Sequence, residues 1–382
     1  MKLIYGTIRR ETLNNYSVIF CSQFRRNQSN KAYKWPRRVF SGIQPTGSMH
    51  LGNYFGAVQR WVELQNAGED VIYSIADLHS ITLPQDPKQL QAHVLKLAAT
   101  LLACGIDPDK SILFQQSRVP EHTQLCWVLG CITTMPRLAH IPTYKEKSLT
   151  LKEVPLGLYI YPVLQAADIL LYRATQVPVG EDQTQNLQLV QHLAKIFNNR
   201  HGPTFPVPEA IMADSSISRL KSLRDPSKKM SKSDQDPRSR IEITDTPEDL
   251  LEKCKKAVTD FTSEVTFDPE KRPGVANLIT IHSLFTGLDP AEVCKQARGL
   301  DTGRYKLVVA DVIQESLKPL RLRVQEYMSE PQYVEQVLEQ GAERASQVAH
   351  ETWNDVRAKV GLSVLQDVYR SNLLTKKEVR GK

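Results

Sequence analysis

Val39-Phe-Ser-Gly-Ile-Gln-Pro-Thr-Gly-Ser-Met-His-Leu-Gly-Asn53 is the stretch on which the reading of this chain turns. Val39 to Ser41 has the apolar character of a short buried strand, and Gly42, Pro45 and Gly47 then break the pattern as a turn requires. From Leu51 onward Leu51, Tyr54, Phe55, Val58, Trp61 and Val62 fall on one face at helical spacing, with Gln59, Arg60 and Glu63 opposite, and Gly68 supplies a stop. The stretch therefore predicts strand, glycine-containing loop, helix. His50, Gly52 and Asn53 are placed at the helix start, where unpaired backbone N–H groups and the helix dipole favour an anion. Gly52 has no side chain to hold a ligand off the backbone. Turns of this kind are common in α/β chains and name no ligand on their own. The sequence contains neither G-x-x-x-x-G-K-[ST] nor a placed G-x-G-x-x-G.

The alternation continues downstream. Val71 to Ala76 is an apolar run that predicts the next parallel strand, and Asp77, Leu78 and His79 lie at its carboxyl end, where open α/β sheets place ligands. Asp86-Pro87 predicts a capped helix that Gly105 ends, Ser111 to Gln115 a third strand, and Glu121 to about Thr133 another helix. Tyr159 to Tyr172 is apolar except for Gln165 and Asp168, which share one helix face; Pro162 is expected to start that helix. A carboxylate in so apolar a helix needs a partner, His79 being one candidate, and burial is expected to raise its pKa. Val177-Pro-Val179 predicts a short strand running into Gly180-Glu-Asp-Gln183, followed by a helix carrying Leu187, Val190, Ala194 and Phe197. To about residue 223 the pattern is α/β, a doubly wound parallel sheet. After residue 246 helical patterns dominate, at 275–286, 290–298, 304–329 and 332–359. Lys253, Lys255, Lys256, Arg272, Arg304, Lys306, Arg321 and Arg323 are scattered among them, mostly as expected solvated faces.

A length of 382 residues suggests two or three domains, 41% hydrophobic residues suffice for a core, and no apolar run reaches the ~18 residues of a membrane helix. The net charge of +7 is not spread evenly. Of 49 Lys and Arg and 42 Asp and Glu, nine and one fall within residues 1–38; the remainder holds 40 and 41, a net of −1. Overall charge thus gives no argument for RNA binding by the body of the chain. The first 36 residues are arginine-rich, nearly free of acids and without an apolar core segment, which is transit-peptide composition and not a secretory signal. Cys21, Cys104, Cys126, Cys131, Cys254 and Cys294 contain no C-x-x-C pair, against a zinc or disulfide framework.

Lys229-Met-Ser-Lys-Ser233 follows Arg224-Asp-Pro-Ser-Lys-Lys and precedes Asp234-Gln-Asp-Pro, a composition that predicts a mobile exposed loop. Together with His50-Leu-Gly-Asn53 it resembles the two signatures of class I aminoacyl-tRNA synthetases, HIGH and KMSKS, in matching order and separation. Asn53 replaces the final His of the first signature, a variation of the tryptophan branch. Gly42 to Gly47, Tyr161-Pro-Val-Leu-Gln-Ala-Ala-Asp168, Val177 to Gln183 and Lys145-Glu-Lys147 also look like the tryptophan branch, and the basic leader makes the mitochondrial form the nearest likeness. The resemblance runs from Val39 through the helical region.

It implies a presequence at 1–36, a Rossmann-like catalytic domain at 37–223, the KMSKS loop at 224–236 and a helical anticodon-binding domain at 237–382. It implies ATP as substrate with Mg²⁺ held mainly by phosphate and water, L-tryptophan and tRNA(Trp) as partners, a homodimer in the mitochondrial matrix, and neither membrane nor DNA as partner. Lys229, Lys232 and Lys147, with His50 and Asn53, would act in catalysis. Gln44, Thr46, Gly47, His50, Gly52, Asn53, Gly180, Glu181, Asp182, Leu220 and Lys229 to Ser233, including Met230, Ser231 and Lys232, would bind ATP. Phe40, Gly42, His79, Tyr161, Gln165, Asp168, Val177, Val179 and Gln183 would bind tryptophan, with Asp168 accepting the indole N–H; no metal-ligand set is implied. A tyrosine-specific relative, or a non-catalytic tRNA-binding relative, would share part of this pattern. Gly180 to Gln183, Ala166-Ala-Asp168 and the intact lysine loop argue against both.

Overall fold

The apolar strand segments form a five-stranded parallel sheet in the order β3-β2-β1-β4-β5, with β1 Val39–Ile43, β2 Val71–Ile75, β3 Ile112–Gln115, β4 Gln176–Val179 and β5 Glu209–Met212. The structure is a computed structural model and describes residues 35–141, 151–180, 183–212, 220–232 and 234–363. The leader at 1–34, Lys147, Glu181, Asp182 and Ser233 lie outside the described residues. β1 pairs with β2 over its whole length, Val39 opposite Val71 and Ile43 opposite Ile75, and is joined to β4 at Val39 and Gln176. Strand order reverses between β1 and β4, so a crevice is expected outside their carboxyl ends.

Both faces of the sheet are covered, which explains why the strands are continuous apolar runs. On one face Val39, Tyr73 and Leu113 join the cluster of Phe55, Trp61 and Leu97; on the other Phe40, Ile72 and Phe114 join that of Leu125, Leu170 and Phe197. The helix after the first loop begins as α-helix at Leu51–Asn53, passes through a π turn at Tyr54–Val58 and resumes at Gln59–Asn66; together these are α1. A π turn widens the helix by one residue, which the uninterrupted apolar spacing did not reveal. Asp77–Ser80 is α2 and Pro87–Ala103 is α3, the latter capped by Asp86 as expected, its carboxylate accepting from Gln89 N at 2.8 Å. Glu121–Gly130 is α4, Met135–Ala139 is α5 and Leu156–Leu171 is α6. Pro162 does not start α6 but lies inside it, buried; Pro155 is the residue at the helix start, and packing of the apolar helix overrides proline's preference for a first turn. Thr184–His201 is α7, and β5 was not anticipated as a strand.

The second region comprises α8 Pro247–Lys255, α9 Pro273–Thr286, α10 Pro290–Gln296, α11 Thr302–Ser329 and α12 Pro331–Lys359. Its apolar residues Leu250, Ile279, Ile313 and Leu338 belong to the same cluster as Val39 and Trp61, so these helices share a core with one face of the sheet. α12 returns to β3 across Gly341, where a Cβ would stand 1.8 Å from the Leu113 carbonyl oxygen. Gly341→Ala should therefore lower stability by about 1–3 kcal/mol, read as a lower urea midpoint at unchanged slope. An unaltered midpoint would mean that the helix can lift without loss. Four of the scattered cations are structural: Lys253 pairs with buried Asp245 at 2.6 Å, Arg272 with Asp260 at 2.9 Å, and Lys306 and Arg321 donate to the backbone oxygens of Ala257 and Asp245. Lys255, Lys256, Arg304 and Arg323 stay exposed.

Candidate functional site

A cleft of about 640 Å³ opens at the reversal of strand order. β1 contributes Phe40 to Ile43 and then Gln44, α2 contributes His79, α6 contributes Tyr161, Gln165 and Asp168, and β4 contributes Val177 and Val179 with Gln183 beyond it. All nine residues expected around an amino acid thus line one cavity. Ser231 of the lysine loop reaches the same cleft. Gln165 Nε2 donates to Gln183 Oε1 at 3.3 Å, and Gln183 also accepts from Asn186 at 2.9 Å.

Asp168 is 5% exposed at the cleft floor. Its Oδ2 lies 2.7 Å from His79 Nε2; its Oδ1 accepts from Gln116 Nε2 at 2.6 Å and lies 2.6 Å from His122 Nδ1. The expected partner His79 is therefore in place, and two further ones were not anticipated. The direction expected for its pKa is overturned. Burial does raise it, but the His79 charge and the hydrogen bonds from His122 and His79 outweigh burial and hold the carboxyl well below the usual carboxylate range. An ionised carboxylate that accepts three bonds has one of four lone-pair places left.

The half around the first loop is built by two chain segments that pair. His50 forms an antiparallel bridge with Glu242, Leu51 N donates to Ile241 O at 2.9 Å, and Ile243 N to Met49 O at 2.9 Å. Thr46 N donates to Gln44 O at 2.9 Å, and Gly47 adopts φ +93°, a conformation that favours glycine. Gly52 has a further task besides the one its sequence position suggested. A Cβ there would lie 2.9 Å from His50 Cε1, so the missing side chain makes room for the His50 ring. Burial, followed by the Lys232 and Arg240 charges, pushes the His50 pKa down to about 4, leaving a neutral imidazole at pH 7. Among the described residues, His50 Nδ1 and Asn53 Oδ1 are buried with no hydrogen-bond partner, which suits a ligand with polar groups.

The lysine segment is exposed at Ser227 to Lys229, as expected, and is tied down on either side. Lys221 bridges Lys229, Ser222 N donates to Lys228 O at 2.9 Å, Met230 N donates to Leu220 O at 3.1 Å, and Met230 and Leu220 are both buried in the core. Lys229 is exposed, whereas Lys232 is half-buried beside Glu242 and Arg240. Gly180 follows β4 directly, at its carboxyl end.

With this geometry in view, the family model for tRNA synthetases class I (W and Y) matches residues 32–318. A tryptophan–tRNA ligase of Caldanaerobacter subterraneus subsp. tengcongensis is 45% identical over 331 residues, 87% of this chain and 100% of the relative. The chain belongs to the class I tryptophanyl-tRNA synthetases. A mitochondrial tryptophan–tRNA ligase of Caenorhabditis elegans is 40% identical over 333 residues, 85% of this chain and 91% of the relative. The crystal structure of the Campylobacter jejuni tryptophanyl-tRNA synthetase complexed with ADP and tryptophan superposes with a TM-score of 0.74 at 33% identity, over 85% of this chain and 100% of that one.

Sequence reading of the synthetase missed Gln116, His122, Tyr172 and Asn277. Gln116 follows β3 directly, a strand-end position like that of Asp77 to His79, and could have been flagged for that reason. His122 carries no such signal, being one polar residue at a helix start. Asn277 of α9 is also invisible in the pattern; it accepts from Lys221 N at 2.9 Å and donates to Lys221 O at 3.0 Å, tying the synthetase's lysine turn to the helical region.

Proposed function

We propose that this synthetase joins L-tryptophan to ATP as tryptophanyl-adenylate and transfers the tryptophanyl group to the 3′-terminal ribose of mitochondrial tRNA(Trp). The observation that carries the amino-acid assignment is Asp168, an ionised acceptor with one place left, on the floor of a cleft that Phe40, Val177 and Val179 also line. Indole offers one donor and no acceptor, which matches that capacity. Phe40, Val177 and Val179 would flank the ring, and Gly42, His79, Tyr161, Gln165 and Gln183 the rest. In the first step the tryptophan carboxylate oxygen bonds to the α-phosphorus and the bond to pyrophosphate breaks. No side-chain nucleophile is needed, so the protein orients reactants and stabilises charge.

Lys229 and Lys232, with Lys147, would meet the charge that develops on pyrophosphate. His50, Asn53, Gln44, Thr46, Gly47 and Gly52 would hold the nucleotide from the first loop, and Gly180, Glu181, Asp182, Leu220, Met230, Ser231 and Ser233 from the other side. The C. jejuni complex with ADP and tryptophan supports an adenine nucleotide and tryptophan as the ligand pair. Mg²⁺, when bound, would help neutralise the phosphates; the cations Lys232 and Arg240 near His50 suit phosphate oxygens and supply no ligand to the ion itself.

ATP–pyrophosphate exchange across the twenty amino acids tests the reading: tryptophan alone should support it. Exchange with tyrosine instead would assign the tyrosine-specific alternative, and none at all a tRNA-binding relative. The domain plan carries over as proposed, catalytic at 37–223, the lysine loop at 224–236 and anticodon-binding at 237–382, with exposed Lys255, Lys256, Arg304 and Arg323 as cations for RNA. A homodimer is supported by the apolar side chains that α4, α5 and α6 expose, Trp127 at 75%, Met135 at 65% and Leu156 at 68%.

Residues 1–36 would direct import to the matrix and be dispensable for activity. The charge split and the C. elegans mitochondrial relative support this. A chain starting at Arg37 should keep full exchange activity, and a fluorescent protein carrying residues 1–40 should enter mitochondria. Cytosolic retention of that fusion would refute import.

A further inference from the structure

We propose that His122, backed by Tyr172, is a positioning residue that selects which oxygen of Asp168 reads the indole, an inference resting on the tryptophan assignment above. The carboxylate has two oxygens and four lone-pair places. Oδ1 is filled from the interior, by Gln116 Nε2 and His122 Nδ1, each at 2.6 Å and each on a residue with no exposure. Among the described residues Oδ2 meets His79 alone, at 2.7 Å, and His79 lines the cleft. The remaining place is thus on Oδ2, the oxygen on the cleft side, and it is there because the interior pair occupies the other oxygen.

The donors on Oδ1 are themselves fixed. Gln116 Oε1 accepts from Leu78 N at 3.2 Å, which turns its amide so that Nε2 faces Asp168. His122 Nδ1 faces a carboxylate and must carry a proton, while Nε2 lies 2.8 Å from the Tyr172 hydroxyl. That second contact sets the tautomer and ring orientation. The His122 ring stacks on Phe114 at 5.8 Å between centroids, and Tyr172 stacks on Phe40 at 5.3 Å and 10°. Phe40 is a wall of the cleft. One connected group of buried side chains therefore holds both the ring wall and the acceptor atom. His122 touches no cleft surface, so its effect on substrate runs through Asp168.

The test uses the intact enzyme and compares tryptophan with an analogue whose indole N–H is replaced by sulfur. His122→Leu removes the donor; His122→Asn keeps an N–H near the place of Nδ1; Tyr172→Phe keeps the ring and removes the hydroxyl. His122→Leu should raise the tryptophan KM about tenfold, shift kcat by no more than about twofold, and reduce discrimination against the analogue by a similar factor. Tyr172→Phe should do the same to a smaller extent, and His122→Asn should restore discrimination to within about threefold of wild type. A merely structural role would weaken both substrates alike and leave their ratio unchanged, which would overturn the proposal. If His122→Leu does not fold, the ratio in Tyr172→Phe decides by the same criterion. Asp168→Ala is run alongside. Unchanged discrimination in that variant overturns the tryptophan reading itself, whereas loss there with full retention in His122→Leu and Tyr172→Phe overturns only the positioning role.

Discussion

Lys232→Ala should lower kcat for tryptophan-dependent ATP–pyrophosphate exchange by on the order of 100-fold or more, with a smaller change in the tryptophan KM. The group sits where its charge matters. Met230, two residues earlier, is anchored in the core and its N–H is tied to Leu220 O at 3.1 Å, so Lys232 is carried on a defined turn beside His50. Burial pushes its pKa down to about 8, partly opposed by Glu242 and aided by Arg240. A poorly solvated ammonium interacts strongly with a polyanion and needs little reorganisation when charge moves onto the leaving pyrophosphate. The lowered pKa gives the prediction a pH signature with a definite sign. Below about pH 8 Lys232 is cationic; above it the free enzyme loses the proton, so kcat/KM for ATP should fall as pH rises through that value. Lys232→Arg, which stays charged, should remove that fall. An effect of Lys232→Ala confined to KM would show uniform binding and not transition-state stabilisation.

Asp168→Ala carries the second large expected effect, on both specificity and stability. The indole N–H would be buried without an acceptor, a loss of about 1–3 kcal/mol in kcat/KM for tryptophan, more if the bond is charge-assisted. The wild type should discriminate strongly against the sulfur analogue and the variant should not. His79, His122 and Gln116 would also lose their shared acceptor, and removing one side of such a buried charged group costs about 3–5 kcal/mol of folding stability. Thermal or urea unfolding measures that loss independently of activity. Asp168→Asn keeps the shape but replaces one accepting oxygen with a donor, and either orientation sets N–H against N–H, at Gln116 or at the indole. The amide is therefore expected to fall between wild type and alanine, closer to alanine than an isolated acceptor would suggest. Because the carboxyl is held below its ordinary 3.8, its contribution to stability is full well above that pH and is lost progressively as pH falls from there through the lower folded value. Equal discrimination in wild type and Asp168→Ala would move the specificity assignment elsewhere.

The local chemistry of the chain determined much of this. Apolar runs at Val39, Val71 and Val177 are strands because both faces of the sheet are covered, and Asp86-Pro87 and Thr246-Pro247 start helices because they satisfy or remove orphan N–H groups within a few residues. The residue types of the His50 and Lys229 segments were likewise legible, since phosphate chemistry needs small loops and cations wherever they are later placed. Tertiary structure decided what those residues do. The reversal of strand order at β1 and β4 brings Phe40, His79, Asp168 and Val177 to one cleft, and pairing with residues 241–243 fixes His50. Asp168 shows the division most clearly. Its helix alone predicts a raised pKa, yet its donors come from 89, 52 and 46 residues away. Periodicity encodes which face of an element is buried. It carries no information about which distant donor fills which lone pair, because that is fixed only when separate elements meet.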